Sequence, residues 1–214
     1  MSNLGIQVAQ HGNILPDTQE NYIIEKYIDD KYPRVSVDGY ICGDQIKILG
    51  VVDSVYYKDD PLKFNYLVSH SVHDSSTLRE KYMEIIKELK QVTKCDKQII
   101  DVEFFIVEGK PIGMEINPRV FTNMIPVYTW MTGYNPWLVM EAIKKGHMPL
   151  KITAPCKTVI SKYNHAYQHE PVFLQHDNSI FTIMFCSLSH TYGFSDNLNR
   201  EQLLEVINRH SIST

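Results

Sequence analysis

The apolar and polar positions of the chain fall into strand-like runs, broken by glycine-bearing turns and by three segments of helical period. The run Ile99–Val107, IIDVEFFIV, is rich in β-branched and aromatic residues and predicts a strand. Glu108-Gly109-Lys110 is a polar connection whose glycine is able to take φ > 0, and PIGMEI (111–116) returns from it, so a β-hairpin is expected between Asp101 and Arg119. With a three-residue loop, Val107 pairs with Pro111, and counting back sets Glu103 across from Glu115. A second hairpin is expected in 32–57, turning at Gly43-Asp44. A short strand is expected over NYIIEKYI (21–28), after a weakly patterned tail or connector in 1–20. Residues 59–76 read as polar and irregular.

Thr77 and Glu80 form an expected capping box. Behind it Leu78, Tyr82, Ile85, Ile86 and Leu89 make one helical face suited to pack on a sheet. Asn135 followed by Pro136 marks a second helix start, with Gly146 as its stop. Beyond residue 150, strands are expected around KTVISKY, PVFLQ and SIFTIMFCSL, and a last helix opens at the Asn199…Gln202 pair. The organisation expected is therefore a connector (1–20), a sheet-and-helix subdomain (21–150) and a small C-terminal subdomain (151–214).

Composition narrows the function classes. At 43% hydrophobic and 21% charged, the chain has an ordinary globular balance. Its formal net charge of −4, with no Lys/Arg run to offset it, argues against a nucleic-acid partner. No segment approaches the ~20 apolar residues of a membrane span, and MSNLGIQVAQ lacks the basic start and apolar run of a signal peptide. The widely spaced Cys42, Cys95, Cys156 and Cys186 point to reduced thiols and a cytoplasmic location. His70 and His73 have no third ligand at a standard spacing, so no metal is assigned to them.

The chemistry lies in the 101–119 hairpin. Cross-strand partners sit ~5 Å apart at Cβ, and side chains alternate with a period of two, so Glu103, Glu115 and Asn117 share one patch. Two carboxylates this close repel unless a proton or a cation lies between them. Hard oxygens in this arrangement suit Mg²⁺ (or Mn²⁺), which binds through one or two carboxylates plus substrate phosphates. Arg119, just beyond, carries a planar fork suited to phosphate or carboxylate.

The ordered set Glu103, then Glu115-x-Asn117-x-Arg119 across a glycine turn resembles the metal-binding hairpin of the ATP-grasp superfamily, over roughly residues 22–150. The resemblance implies an α+β fold: an antiparallel sheet flanked by helices, the C-terminal subdomain of an ATP-grasp domain, with a small C-terminal α/β extension. It implies Mg²⁺ held by Glu103, Glu115 and Asn117, and Arg119 as the catalytic cation. It implies an adenine-binding linker at Glu25, Lys26, Tyr27 and Ile28. Asp38, in the segment Ser36-Val37-Asp38-Gly39, joins the ATP-binding candidates; Arg34 stands where the family often has a Glu near the ribose or phosphates. Phe105 shares the face of Glu103 and is the preferred floor for adenine; Met114 is a family-position candidate that strict alternation puts on the other face. Asp53 and Lys58 stand where the family often carries substrate-facing groups, and Met131–Asn135 resembles its T-G-x-D segment.

Two features depart from the family. Val120–Asn123 replace a glycine-rich turn near the substrate. About twenty residues precede Glu25, and they hold neither a lysine nor a glycine-rich phosphate loop. The expectation is the Mg-ATP-binding portion of an ATP-dependent carboxylate–amine ligase, acting through an acyl phosphate on small-molecule substrates. It is expected to be incomplete without an N-terminal subdomain, supplied by a partner chain or otherwise. The alternative is a non-catalytic interaction or oligomerisation module on the same sheet.

Overall fold

In a computed structural model of the protein, the residues described are 25–29, 31–56, 66–119, 125–163, 172–176, 179–185 and 190–211. The chain divides into two units, Met1–Tyr32 and Pro33–Thr214. In the first, residues 25–29 have no regular secondary structure. The strand expected over 21–28 is thus not formed in its described part, and Tyr27 is 60% exposed. Residues 21–24 lie outside the described residues, as do Lys58 and Val120–Asn123.

The second unit is built on antiparallel strands: β1 (Arg34–Cys42), β2 (Gln45–Tyr56), β3 (Tyr66–His70), β4 (Gln98–Val107), β5 (Lys110–Asn117), β6 (Thr158–Tyr163), β7 (Val172–His176), β8 (Ser179–Phe185) and β9 (His190–Ser195). Their order among the described residues is β5-β4-β1-β2-β3-β6-β9-β8-β7. Helix α1 (Ser76–Thr93) packs Tyr82 and Ile86 on one face, against Val35, Val37, Val51, Ile100, Val102 and Phe104. Helix α4 (Arg200–Ser211) covers Ile160 on that face with Leu203 and Ile207. On the other face, α2 (Ile125–Thr132) packs on Val52, Val159 and Phe194, while α3 (Pro136–Lys144) packs Val139 and Ile143 on Tyr40 and Ile99. An α+β fold with helices on an antiparallel sheet is what the alternating runs call for.

Local signals explain most boundaries. Asn135 Oδ1 accepts from Trp137 N at 2.9 Å and Pro136 fills the first helical position; the chain leaves α3 through Gly146 at φ +74°. Asn199 and Gln202 exchange bonds of 3.0 and 2.9 Å, the reciprocal cap expected of them. Helix α1 is capped differently from expectation. Ser75, not Thr77, is the N-cap and accepts from Leu78 N at 3.3 Å, so the Thr77…Glu80 box is not used.

Three elements lie outside the sequence expectations. Strand β3 forms within the stretch read as irregular, pairing with β2 and β6. Strand β9 joins β6 to β8. Helix α2, IPVYTWMT, has no polar stripe; Val127, Tyr128, Met131 and Thr132 are buried, while Trp130 stays 38% exposed.

Glycine is required where elements approach closely. The register between β1 and β2 shifts at Asp38/Gly39, and a Cβ on Gly39 would overlap the Lys47 carbonyl and lie 3.2 Å from Ile48 Cα. A Cβ on Gly50 would overlap Met131 Cε and meet Thr132 Cγ2 at 3.1 Å, so α2 rests directly on β2. At Gly39 the obstruction is backbone, which cannot turn aside as a side chain can. Gly39→Ala is expected to destabilise the fold by about 2 kcal/mol, in the range for overpacking; chemical denaturation with an unchanged slope checks it.

Candidate functional site

The β4–β5 hairpin delivers the expected pairing by a different route. The connection has two residues: Val107 pairs with Lys110, and Glu108 and Gly109 take φ of +50° and +74°. Positive φ at both central positions is the tight hairpin turn whose twist matches the strands. Pairing then runs Ile106–Pro111, Phe105–Ile112 and Phe104–Gly113, one residue out of the expected register. The register shifts between Glu103 and Phe104, leaving Met114 as the extra residue, and Glu103 pairs with Glu115 as expected. The three-residue loop is thus corrected to a two-residue turn plus a β-bulge, and the bulge restores the count. Met114 and Glu115 both oppose Glu103, so strict alternation does not run through Met114, which is 37% exposed.

The same face gathers further polar groups from β1 and β4. Asp101 lies two residues before Glu103 and pairs with Asn117 on one side and Asp38 on the other. Exposure falls along this face: Glu115 and Arg119 are exposed, Glu103 is half-buried, and Asn117, Asp38 and Asp101 are buried. Asn117 Nδ2 donates to Asp101 Oδ2 at 3.4 Å, and Arg119 Nη2 donates to Asn117 Oδ1 at 3.4 Å. The Tyr128 hydroxyl, from α2, donates to Asp38 Oδ2. Asp101 Oδ1 is buried with no hydrogen-bond partner among the described residues.

Three carboxyls on this face are shifted upward. Burial, then the facing Asp101, holds Asp38 well above the usual range; the Tyr128 hydrogen bond opposes this, and Glu103 adds to it. Asp101 is pushed up to about 7 by burial and then by Glu103, against the pull of Arg119 and Asn117. Glu103 is raised by burial and by Glu115, against Arg34 and Arg119. Such a face holds more carboxyls than its own cations offset, so they are held towards the neutral form unless a cation is taken up among them. Among the described residues, no group of three or more His, Cys, Asp or Glu side chains is arranged to hold a metal ion alone. Glu103, Glu115 and the Asn117 amide supply two carboxylates and one neutral oxygen. That donor set fits a hard cation whose remaining ligands come from phosphate and water.

Other expected site residues fall elsewhere. Phe105 shares the Glu103 face but is only 5% exposed, because the Arg34 guanidinium lies 4.7 Å from its ring centroid. Asp53 is on the opposite face, where its carboxylate accepts from Ser71 Oγ and from Val72 N at 3.0 Å; it ties down a loop and does not face the site. Gly133 in Met131–Asn135 sits at φ +80°, and its carbonyl accepts from Ile152 N at 2.8 Å. Glu25, Lys26, Tyr27 and Ile28 belong to the first unit.

The face also contains residues that sequence reasoning missed. Asp101 was legible: the period of two that joins Asn117 to Glu115 also joins Asp101 to Glu103. Tyr128 gave no signal, since α2 was not expected.

No protein-family model matches the chain, and no curated protein matches its sequence. Solved structures do share its fold. N5-carboxyaminoimidazole ribonucleotide synthetase from Thermus thermophilus aligns over 87% of this chain and 51% of its own, at TM-score 0.59 and 16% identity. Phosphoribosylglycinamide synthetase from Anaerococcus prevotii aligns over 87% and 53%, at 0.58 and 11%. L-amino acid ligase from Bacillus licheniformis aligns over 84% and 52%, at 0.54 and 11%. These are ATP-grasp ligases, and this chain shares the fold of the part of them with which it aligns. The chain spans about half the length of these neighbours. Among the described residues no helix is long and apolar enough to cross a membrane.

The buried acid makes a prediction for the metal-free protein. In the folded state Asp101 ionises near 7, against ~3.9 in an unfolded chain. Its contribution to stability is fully present below about pH 4 and is lost as pH rises through 7. Asp101→Asn is expected to raise Tm at pH 8 by a few degrees, at about 2–4 °C per kcal/mol for this chain length, and to flatten the loss of stability between pH 5 and 8. Calorimetry in chelator at both pH values checks it; a Tm lowered at pH 8 contradicts it.

Proposed function

We propose that this chain is the Mg-ATP-binding portion of an ATP-dependent carboxylate–amine ligase that works through an acyl phosphate. The carrying observation is the Glu103–Glu115 pair, with Asn117 and Arg119 beside it, on an open sheet face of ATP-grasp fold. In this reading Glu103, Glu115 and Asn117 hold Mg²⁺, which when bound neutralises the phosphate oxygens of ATP. Arg119, exposed at the end of β5, offers its fork to the transferring phosphoryl group or to the substrate carboxylate, where fixed positive charge stabilises spread negative charge. The carboxylate substrate takes the γ-phosphoryl group as ADP leaves; an amine then attacks the acyl carbon and inorganic phosphate departs.

Phe105 and Met114 are assigned to the adenine slot, with Arg34 lying over Phe105, and Asp38 supports the face from below. The phosphate-binding half of the fold is supplied outside the residues matched here, by further sequence or by a partner chain, and the chain by itself binds nucleotide weakly and turns over slowly or not at all. Calorimetry is expected to show Mg²⁺-dependent ATP binding that Glu115→Ala weakens at least 100-fold, with Arg119→Ala weakening it less and Glu108→Ala leaving it unchanged. Binding indifferent to Glu115→Ala refutes the reading.

A second reading, a non-catalytic interaction or oligomerisation module, is favoured by one observation: Ile112, Met114 and Ile116 on β5 are all exposed. Among the described residues β5 stands at one end of the sheet order, and an apolar edge invites strand pairing. Light scattering separates the two: this reading expects a stable dimer without nucleotide affinity, broken by Ile116→Lys.

A further inference from the structure

We propose that Asp101 is a positioning residue: its carboxylate locks the side-chain amide of Asn117 in a single orientation and thereby fixes the oxygen that Asn117 offers to a bound cation. The inference rests on the proposed role of Asn117 as a donor to that cation.

An asparagine side chain is nearly symmetric in shape but not in chemistry: one end donates twice, the other only accepts. A free Asn therefore flips at little cost, and a flipped Asn117 would present N–H groups where a cation needs an oxygen. Two neighbours remove the ambiguity. Beside a bound cation the Asp101 carboxyl is ionised and only accepts, and its Oδ2 takes the Asn117 Nδ2 donor at 3.4 Å. A guanidinium only donates, and Arg119 Nη2 reaches Asn117 Oδ1 at 3.4 Å. Flipping would set oxygen against carboxylate and N–H against guanidinium, losing both contacts at once.

The backbone enforces this arrangement. Asp101 and Asn117 are cross-strand partners in β4 and β5, on the same side of the bulge as Glu103 and Glu115, so one stretch of register fixes all four side chains. Both residues are buried, Asp101 at 2% exposure and Asn117 at 7%, so water does not substitute freely for either partner. The other acid facing Asp101, Asp38 on β1, is engaged by the Tyr128 hydroxyl. Outer partners that orient a metal-binding side chain are typically worth 10–100-fold in metal affinity.

The test measures Mn²⁺ binding by the full chain in the presence of ADP, by electron paramagnetic resonance and calorimetry. The proteins compared are wild type, Glu115→Ala, Asp101→Asn, Asn117→Ala and the double variant Asp101→Asn/Asn117→Ala. Asp101→Asn is expected to fold with unchanged circular dichroism yet bind Mn²⁺ at least tenfold more weakly, because asparagine at 101 pairs with either orientation of Asn117. In the Asn117→Ala background the same change is expected to have less than a twofold effect, since no amide is left to orient; equal losses in both backgrounds mean a merely structural role and overturn the proposal. Asp101→Ser replaces Asp101→Asn if the latter does not fold, with the same expected loss. Mn²⁺ affinity within twofold of wild type in Asp101→Asn, while Glu115→Ala abolishes binding, overturns the positioning role and leaves the ligase reading standing. Absence of Mn²⁺ binding in wild type, or indifference to Glu115→Ala, overturns both.

Discussion

The structure around the site depends on one register: Glu103 directly across from Glu115. Because strand side chains alternate, a slip of one residue would send one carboxylate to the helix-covered face. Two local devices set this register together. The Glu108-Gly109 turn starts the pairing one residue short, and the bulge at Met114 returns it. Neither alone brings the two acids opposite each other. Downstream of the bulge the pairing carries on to Asp101 and Asn117, so the amide and its partner inherit their alignment from the same correction.

Electrostatics then gives the face its character. A core normally excludes charge unless it is paired, yet Asp38 and Asp101 face each other beneath a sheet surface that already bears Glu103 and Glu115. Tyr128 and Asn117 satisfy one oxygen of each buried acid, while Arg34 and Arg119 pull against the charge from either side. Four carboxyls still face two guanidinium groups, an arrangement that stands apart from the solvated acids elsewhere on the chain, such as Glu141 in its exposed pair with Lys145. A fold optimised for stability alone would not retain such an arrangement.

Much of this was legible in the sequence because the strongest signals were local. The Gly43-Asp44 turn, the Asn135-Pro136 start, the Gly146 stop and the Asn199…Gln202 cap each depend on residues within one turn of one another. The acid pair was also within reach, since it requires only a count across a hairpin. That count succeeded through two deviations that cancelled, a shorter turn and a bulge, neither of which the composition of PIGMEI announces. What escaped was set by tertiary contact. Helix α2 lacks a polar stripe and buries Val127, Tyr128, Met131 and Thr132 although no periodicity announces it, and β3 needs β2 and β6 to exist as a strand. Asp53 read as a site candidate, yet the parity of β2 turns it to the α1 side, where it holds Ser71 and Val72. Resemblance alone does not report parity.

The place of β5 in the sheet has a mechanical meaning. Among the described strands it is outermost, so β4 is its single ladder partner, and it carries Glu115 and Asn117, with Arg119 just beyond its end, while β4 carries Glu103 and Asp101. The acids divided between the two strands repel across the seam by which β5 is attached. An ion bridging that seam would act as a rivet, fastening an edge strand near the end away from its turn, so that occupancy and local rigidity rise together.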